Sequence, residues 1–296
     1  MRKHPVIFGI ALLGLIGFIF FILVYGLGSF SRDRHAFSLG GKVGVVTVEG
    51  IISDAEEIVA QLDDFGSDDR IKAVILRIDS PGGGVAPAQE IYDAISDLKK
   101  KKKVVASMGS YAASGGYLIA CAADRIVANP GTITGSISAI IHFVNVEELM
   151  KKVGIKASVV KSGPYKDMGS PMREMTPEER VLLQGLVDDI YDQFLDIVAR
   201  DRKIDKEQLR KIADGRVFSG RQALKLGLID SLGDMRSAVR LAGKMSGIEG
   251  EPNVVYAGTK RQSIWELILM DMTSLLFGHL PERKTGLGGV SYLWCK

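Results

Sequence analysis

The amino-acid sequence predicts an α/β protein: a largely parallel sheet behind an N-terminal transmembrane helix, followed by a helical C-terminal extension. Three observations lead there. Short β-rich apolar runs alternate with amphipathic stretches of about ten to fifteen residues, the signature of βαβ units. No charged residue occurs from Pro5 to Ser31. Beyond Pro177 the texture changes to one long amphipathic helix followed by shorter ones.

The 25 residues from Val6 to Phe30, at about 1.5 Å per residue, make a helix of roughly 37 Å against a hydrocarbon core of about 30 Å. A cleavable secretory signal has a shorter apolar region and a small-residue cleavage site. This run is longer and ends in Gly28, Ser29 and Phe30, so it reads as an uncleaved anchor. Arg2, Lys3 and the amino terminus precede it, and Arg32 and Arg34 follow it. The small charge difference favours a cytoplasmic N-terminus with the body on the extracytoplasmic side of the cell membrane. The chain then divides into residues 1–30 (N-terminus and anchor), 31–42 (linker), 43–245 (catalytic-sized domain) and 246–296 (extension).

In the domain, strands are expected at Val43–Val48 with Ile51 and Ile52, Ala73–Ile78, Val104–Ser107, Arg125–Ala128, Ile137–Val144 and Ala157–Val160. Helices are expected at Asp54–Phe65, Ala86–Lys100, Thr176 to about Arg202, Lys206–Ala213 and Ser219–Leu226. Thr176 caps the long helix with Pro177 at its first position. Leu182, Leu183, Leu186, Val187, Ile190, Phe194, Ile197 and Val198 form its apolar stripe. Lys99–Lys103 reads as a solvated helix C-terminus. In the extension, Ser263–Gly278 suggests an interfacial helix, because Glu266 and Asp271 argue against a second span. Ser291–Lys296 is apolar and reads either as a disordered end or as a product-like tail reaching a groove.

Lys and Arg total 38 against 35 Asp and Glu, a net charge of +3. That balance excludes a charge-driven nucleic-acid binder, and 46% apolar residues exclude extensive disorder. Two cysteines, Cys121 and Cys295, and four scattered histidines, His4, His35, His142 and His279, supply neither a disulfide framework nor metal-ligand spacing. No metal and no cofactor is expected.

Three segments could carry chemistry. Arg77–Gly84 (RIDSPGGG) leaves a strand through three glycines, which bring N–H groups close to a bound oxyanion or simply make a tight turn. In Ser107–Ala120 (SMGSYAASGGYLIA), Ser114 precedes Gly115 and Gly116 at a helix entry. It reads as an N-cap, or as a nucleophile with a neighbouring N–H beside it. Ala112 stands two before Ser114, so this is not the G-x-S-x-G elbow. A serine nucleophile needs a base, and His142, in an apolar run, reads as a core histidine. A lysine with its pKa lowered by partial burial is the alternative. Val160–Met175 offers Lys161 and Lys166 in a Gly/Pro-punctuated loop, and spacing alone does not choose between them.

Taken together, IDSPGGGV, SMGSYAASGGYLIA, TITGSISA, KSGPYKDMGSPMREMTPEER and IADGRVFSGRQALKLGLID resemble the short, single-copy bacterial form of the signal peptide peptidase A family, in the family's order. The resemblance implies a crotonase-like ββα spiral, as in the Clp protease subunit. It implies a membrane-anchored serine endopeptidase, with Ser114 as nucleophile and Lys166 as general base. It further implies oxyanion N–H groups at Gly83 and Gly115, and Ser136 orienting the lysine amine. A homo-oligomeric ring with the dyad shared between subunits is implied, as are residual signal peptides and other apolar polypeptides as substrates. Two rivals remain: a crotonase-type acyl-CoA enzyme, and an inactive membrane scaffold on the same fold.

Overall fold

The computed structural model describes residues 14–18, 41–258 and 291–293. They belong to two units, Met1–Gly41 and Lys42–Lys296. In the first, residues 14–18 are helical. The rest of the expected anchor, most of the linker and the Ser263–Gly278 stretch lie outside the described residues. Among the described residues, no helix is long and apolar enough to cross a membrane.

The second unit is a mixed α/β structure. In chain order it runs β1 (Lys42–Ile52), α1 (Glu56–Ser67), β2 (Ile71–Gly84), α2 (Val85–Lys99), β3 (Lys103–Ala113), α3 (Gly115–Cys121), β4 (Arg125–Ala128) and β5 (Ile133–Gly135). It continues with α4 (Glu147–Lys152), α5 (Pro177–Arg202), α6 (Lys206–Arg210), β6 (Val217–Ser219), α7 (Gly220–Lys225), β7 (Ser231–Leu232), α8 (Met235–Met245), β8 (Asn253–Tyr256) and β9 (Ser291–Leu293). The central order is β6-β5-β3-β2-β1-β8, with β4 beside β3 and β7, and β9 beside β2. The sheet is mixed rather than simply parallel, because β2–β9 and β5–β6 pair antiparallel.

Both faces of the central strands are buried, which explains their near-continuous apolar runs. Val46, Val48, Val74, Leu76, Ile78, Val104, Ala106 and Met108 face α1–α3 and the buried half of α5. The alternate residues Val43, Val45, Ala73, Ile75, Val105 and Val127 face α8 through Ala238 and Ala242. Each large side chain removed from water in this way contributes about 1.5–3 kcal/mol before chain entropy is counted.

Several expectations change. β2 continues through the glycines to Gly84 instead of ending in a tight turn. Ile137–Val144 and Ala157–Val160 are not strands; apart from one bridge residue at Ile140 they are irregular, and most of their residues are exposed. His142 is exposed there and is not a core histidine. The stripe of α5 is buried only in its second half, at Ile190, Phe194, Leu195 and Val198. Val181, Leu182 and Leu186 face outward. Asn253–Tyr256, which the sequence places in the extension, pairs with β1 and so belongs to the sheet.

One feature follows the sequence closely, and a second does so in part. Thr176 and Glu179 form a reciprocal capping box at the start of α5, an arrangement in which the cap alone is worth about 1 kcal/mol. The lysine run follows the end of α2 at Lys99 but is not wholly solvated, since Lys102 is tied to the body and Lys103 opens β3. Lys100 bonds Asp97, Lys102 donates to the Phe65 and Asp68 carbonyls, and Lys103 pairs with Asp124.

Candidate active site

The site begins where β2 and β3 part. Their ladder runs in register from Ala73↔Lys103 to Ile78↔Met108, then shifts before Ser80↔Ala112. Beyond that point β3 turns to β5, with Ala113 opposite Gly135. The edge of β2 at Gly82–Gly84 takes β9 instead. Polar side chains hold the gap. The Asp79 carboxylate accepts the Ser110 and Tyr111 N–H groups, each at 3.3 Å. The buried Ser80 hydroxyl accepts the Gly82 N–H at 3.1 Å. Thr132 and Thr134 donate to the Gly109 and Ala112 carbonyls at 2.8 and 2.7 Å.

Ser114 sits at the β3–α3 junction with φ 54° and ψ −120°, a conformation ordinarily left to glycine. Holding a non-glycine residue there costs on the order of 1–3 kcal/mol, which the surroundings must supply. They do so through its backbone: its N–H donates to the Gly135 carbonyl at 2.8 Å, and its own carbonyl accepts from Tyr117 and Leu118. The side chain makes no cap bond, so the N-cap alternative does not describe it. The residue is 1% exposed.

Three of the other candidate residues lie around it. A Cβ built on Gly115 would be 3.4 Å from the Gly83 nitrogen, which places the two glycine backbones side by side. A Cβ on Gly83 would fall 2.0 Å from the Ile52 carbonyl oxygen, and one on Gly116 would fall 2.7 Å from that of Ser80. Close packing of backbone on backbone therefore demands glycine at both positions. Ser136, at φ 52°, follows directly on Gly135 and donates its N–H to the Arg216 carbonyl at 2.9 Å.

The two loop lysines differ in environment. Lys161 pairs with Asp167 and donates to the Pro164 carbonyl at 2.8 Å. Lys166 lies on an exposed turn, with its backbone N–H on the Gly163 carbonyl. Its side chain makes no hydrogen bond or ion pair with another described residue, and none joins it to the Ser114 cluster. Cys121 is no competing nucleophile: burial pushes its thiol up to about 12, so it stays protonated.

Asp79, Ser80, Thr132 and Thr134 escape sequence reasoning, since their bonds exist only once β2 and β3 diverge. The one signal in the sequence is that each adjoins a glycine-rich strand end.

Comparison with known families makes the chain a serine protease with a Clp-protease-like domain. Two family models agree: Clp protease matches residues 43–132, and peptidase family S49 matches residues 96–249. The chain belongs to peptidase family S49. Among its relatives, a candidate protease of Synechocystis sp. is 45% identical over 209 residues, covering 70% of this chain and 76% of the relative. A candidate protease of Methanocaldococcus jannaschii is 36% identical over 72% of this chain and 69% of its own length. A candidate signal peptide peptidase SppA of Enterococcus faecium is 34% identical over 67% and 62%.

Proposed function

We propose that this protease is membrane-anchored and hydrolyses residual signal peptides and other apolar peptides with a Ser114/Lys166 pair. The observation that carries the reading is Ser114 itself, free of any capping bond and set in a costly backbone conformation beside the Gly115 and Gly83 amides. The Ser114 oxygen attacks the scissile carbonyl carbon while its proton passes to the Lys166 amine. The Gly83 and Gly115 N–H groups receive the oxyanion. Collapse breaks the C–N bond, the leaving amine takes the proton from Lys166, and an ester to Ser114 remains. The same lysine then deprotonates a water that attacks the ester, releasing the acid and restoring the serine. The Ser136 hydroxyl orients the amine.

A shared site is supported by where the two halves lie. Ser114 is embedded in the sheet, whereas Lys166 rides on a segment whose apolar residues, among them Val144, Val153 and Val160, are exposed together with Val181, Leu182 and Leu186 of α5. Such a surface suits a second copy of the chain, with the lysine of one subunit completing the serine of the next in a ring. The antiparallel seat of Ser291–Leu293 on Gly82–Gly84 supports binding of an extended peptide along the same edge. The uncharged run of residues 6–30 supports anchoring, and the flanking charges, with Arg2, Lys3 and the amino terminus before it, favour the body on the extracytoplasmic side.

Mixing inactive Ser114→Ala and Lys166→Ala proteins tests this on casein. Partial recovery in mixed oligomers is expected. Casein cleavage by Ser114→Ala alone at the wild-type rate would refute the assignment, and no recovery in well-mixed oligomers would refute the sharing.

A further inference from the structure

The segment that carries Lys166 has almost no apolar core of its own. Residues 144–175 contain one short helix and are otherwise irregular and largely exposed. Their shape therefore rests on polar bonds, and these converge on one side chain. Arg173 donates Nε to Asp167 Oδ2 and Nη2 to Asp167 Oδ1, both at 2.9 Å, so its fork grips the carboxylate next to Lys166. Nη2 also reaches the Asp167 carbonyl at 3.2 Å. On its other side Nη1 donates to Glu179 Oε2 at 2.8 Å and to the Glu174 carbonyl at 3.0 Å, while Nη2 bonds Glu179 Oε1.

Both ends of this clamp are anchored. Glu179 is 2% exposed and is the capping-box residue of α5, accepting the Thr176 N–H at 3.0 Å. The second half of α5 is locked in the core by Phe194, Leu195 and Val198. At the loop end, Asp167 also takes Lys161, closing the turn on which Lys166 sits. Arg173 and Lys161 hold the Asp167 carboxyl well below the usual carboxylate range, as a doubly paired anion should be.

We infer that Arg173 is a positioning residue for catalysis: it transmits the rigid frame of α5 through Asp167 to Lys166 and so fixes the reach of the base. The inference rests on Lys166 being that base. Guanidinium is suited to the task, because its planar fork fixes direction as well as distance, which an ammonium does not. A base displaced by about 1 Å can cost on the order of 100-fold in rate.

The test compares Arg173→Lys, which keeps the charge and loses the fork, and the isosteric Asp167→Asn with wild type. All are assayed as full-length protein on a fluorogenic peptide, with active sites titrated by a fluorophosphonate and assembly checked by size exclusion. Lys166→Ala is run alongside; if it retains wild-type kcat, the reading of the base fails, whatever Arg173 does. With Lys166→Ala inactive, kcat per titrated and assembled site should fall at least tenfold in Arg173→Lys and about fivefold in Asp167→Asn. KM should stay within twofold of wild type. Arg210→Gln, which breaks the exposed pair with Asp192 elsewhere on α5, should leave kcat unchanged. The inference is overturned if either variant at the clamp keeps wild-type kcat per assembled site. It is equally overturned if all loss of activity tracks loss of folded, assembled protein. Should Arg173→Lys not fold, Asp167→Asn decides by the same criterion.

Discussion

Gly83→Ala separates the two duties of the glycine loop. A Cβ at Gly83 would stand 2.0 Å from the Ile52 oxygen and 2.6 Å from the Ile52 carbonyl carbon and nitrogen. Ordinary contact begins near 3.4 Å, so 3.4 − 2.0 leaves a shortfall of 1.4 Å against backbone that cannot rotate away. Ile52 is the ladder partner of Gly83, so β1 and β2 must separate at this point. Overpacking of this kind costs about 1–3 kcal/mol, and one weakened ladder bond adds about 1 kcal/mol. For a domain of this size that total of about 2–4 kcal/mol lowers Tm by roughly 4–16 °C. The displaced N–H is one of the two proposed oxyanion donors, whose loss lowers kcat by about 10²–10³-fold. Peptide hydrolysis per folded enzyme, with folding followed by circular dichroism, reads the second effect independently of the first. Gly84→Ala, whose Cβ would press on the Pro87 ring at 3.1 and 3.2 Å and meet the Ile52 oxygen at an ordinary 3.6 Å, should cost less than tenfold. A folded Gly83→Ala enzyme with wild-type kcat would show that Gly83 serves packing alone.

Two further outcomes concern stability. Tyr117 is fully buried and donates its hydroxyl to the Leu228 carbonyl at 2.9 Å; Tyr117→Phe leaves that carbonyl unpaired at a cost of about 1–3 kcal/mol, and calorimetry should show a lower Tm. An unchanged Tm would mean that the bond contributes nothing. Arg173 and the Thr176 N–H hold Glu179 down to about 2, from an ordinary 4.5. Because the folded value is the lower one, its stabilisation is complete above the unfolded pKa and is lost as pH falls through about 2. Urea midpoints measured from pH 6 to pH 2 should therefore drop more steeply in wild type than in Glu179→Gln, and parallel curves would contradict the coupling.

The buried half of the fold is legible in the sequence because burial on both faces leaves continuous apolar strands, as in Val43–Val48 and Ala73–Ile78. The extension of β2 through Pro81 and three glycines is not, since those residues ordinarily end strands. What keeps them extended is β1 on one side and β9 on the other. α8 goes unread although its pattern is visible: Met235, Val239, Leu241 and Met245 pack beside the buried Ala238 and Ala242 at helical spacing. Ile137–Val144 and Ala157–Val160 mislead in the opposite sense: Ile137 and Ala139 are buried without forming a strand, and Phe143, Val144 and Ala157–Val160 are exposed. At the site, the glycine pairs are visible as motifs. The Asp79 and Thr134 bonds depend on a divergence of strands that no local pattern encodes.

The parting of β2 from β3 leaves a short row of backbone amides and carbonyls at Gly82–Gly84 to pair with β9 instead, where side chains are absent altogether. Recognition along such a row is spoken in the main chain, which every polypeptide shares. Selectivity then comes from conformation more than from sequence: a folded protein has already spent its backbone groups on its own helices and sheets, whereas a released, unstructured peptide still has them to offer. Under the proposed function, a fold built this way would discriminate debris from finished protein without having to read either one.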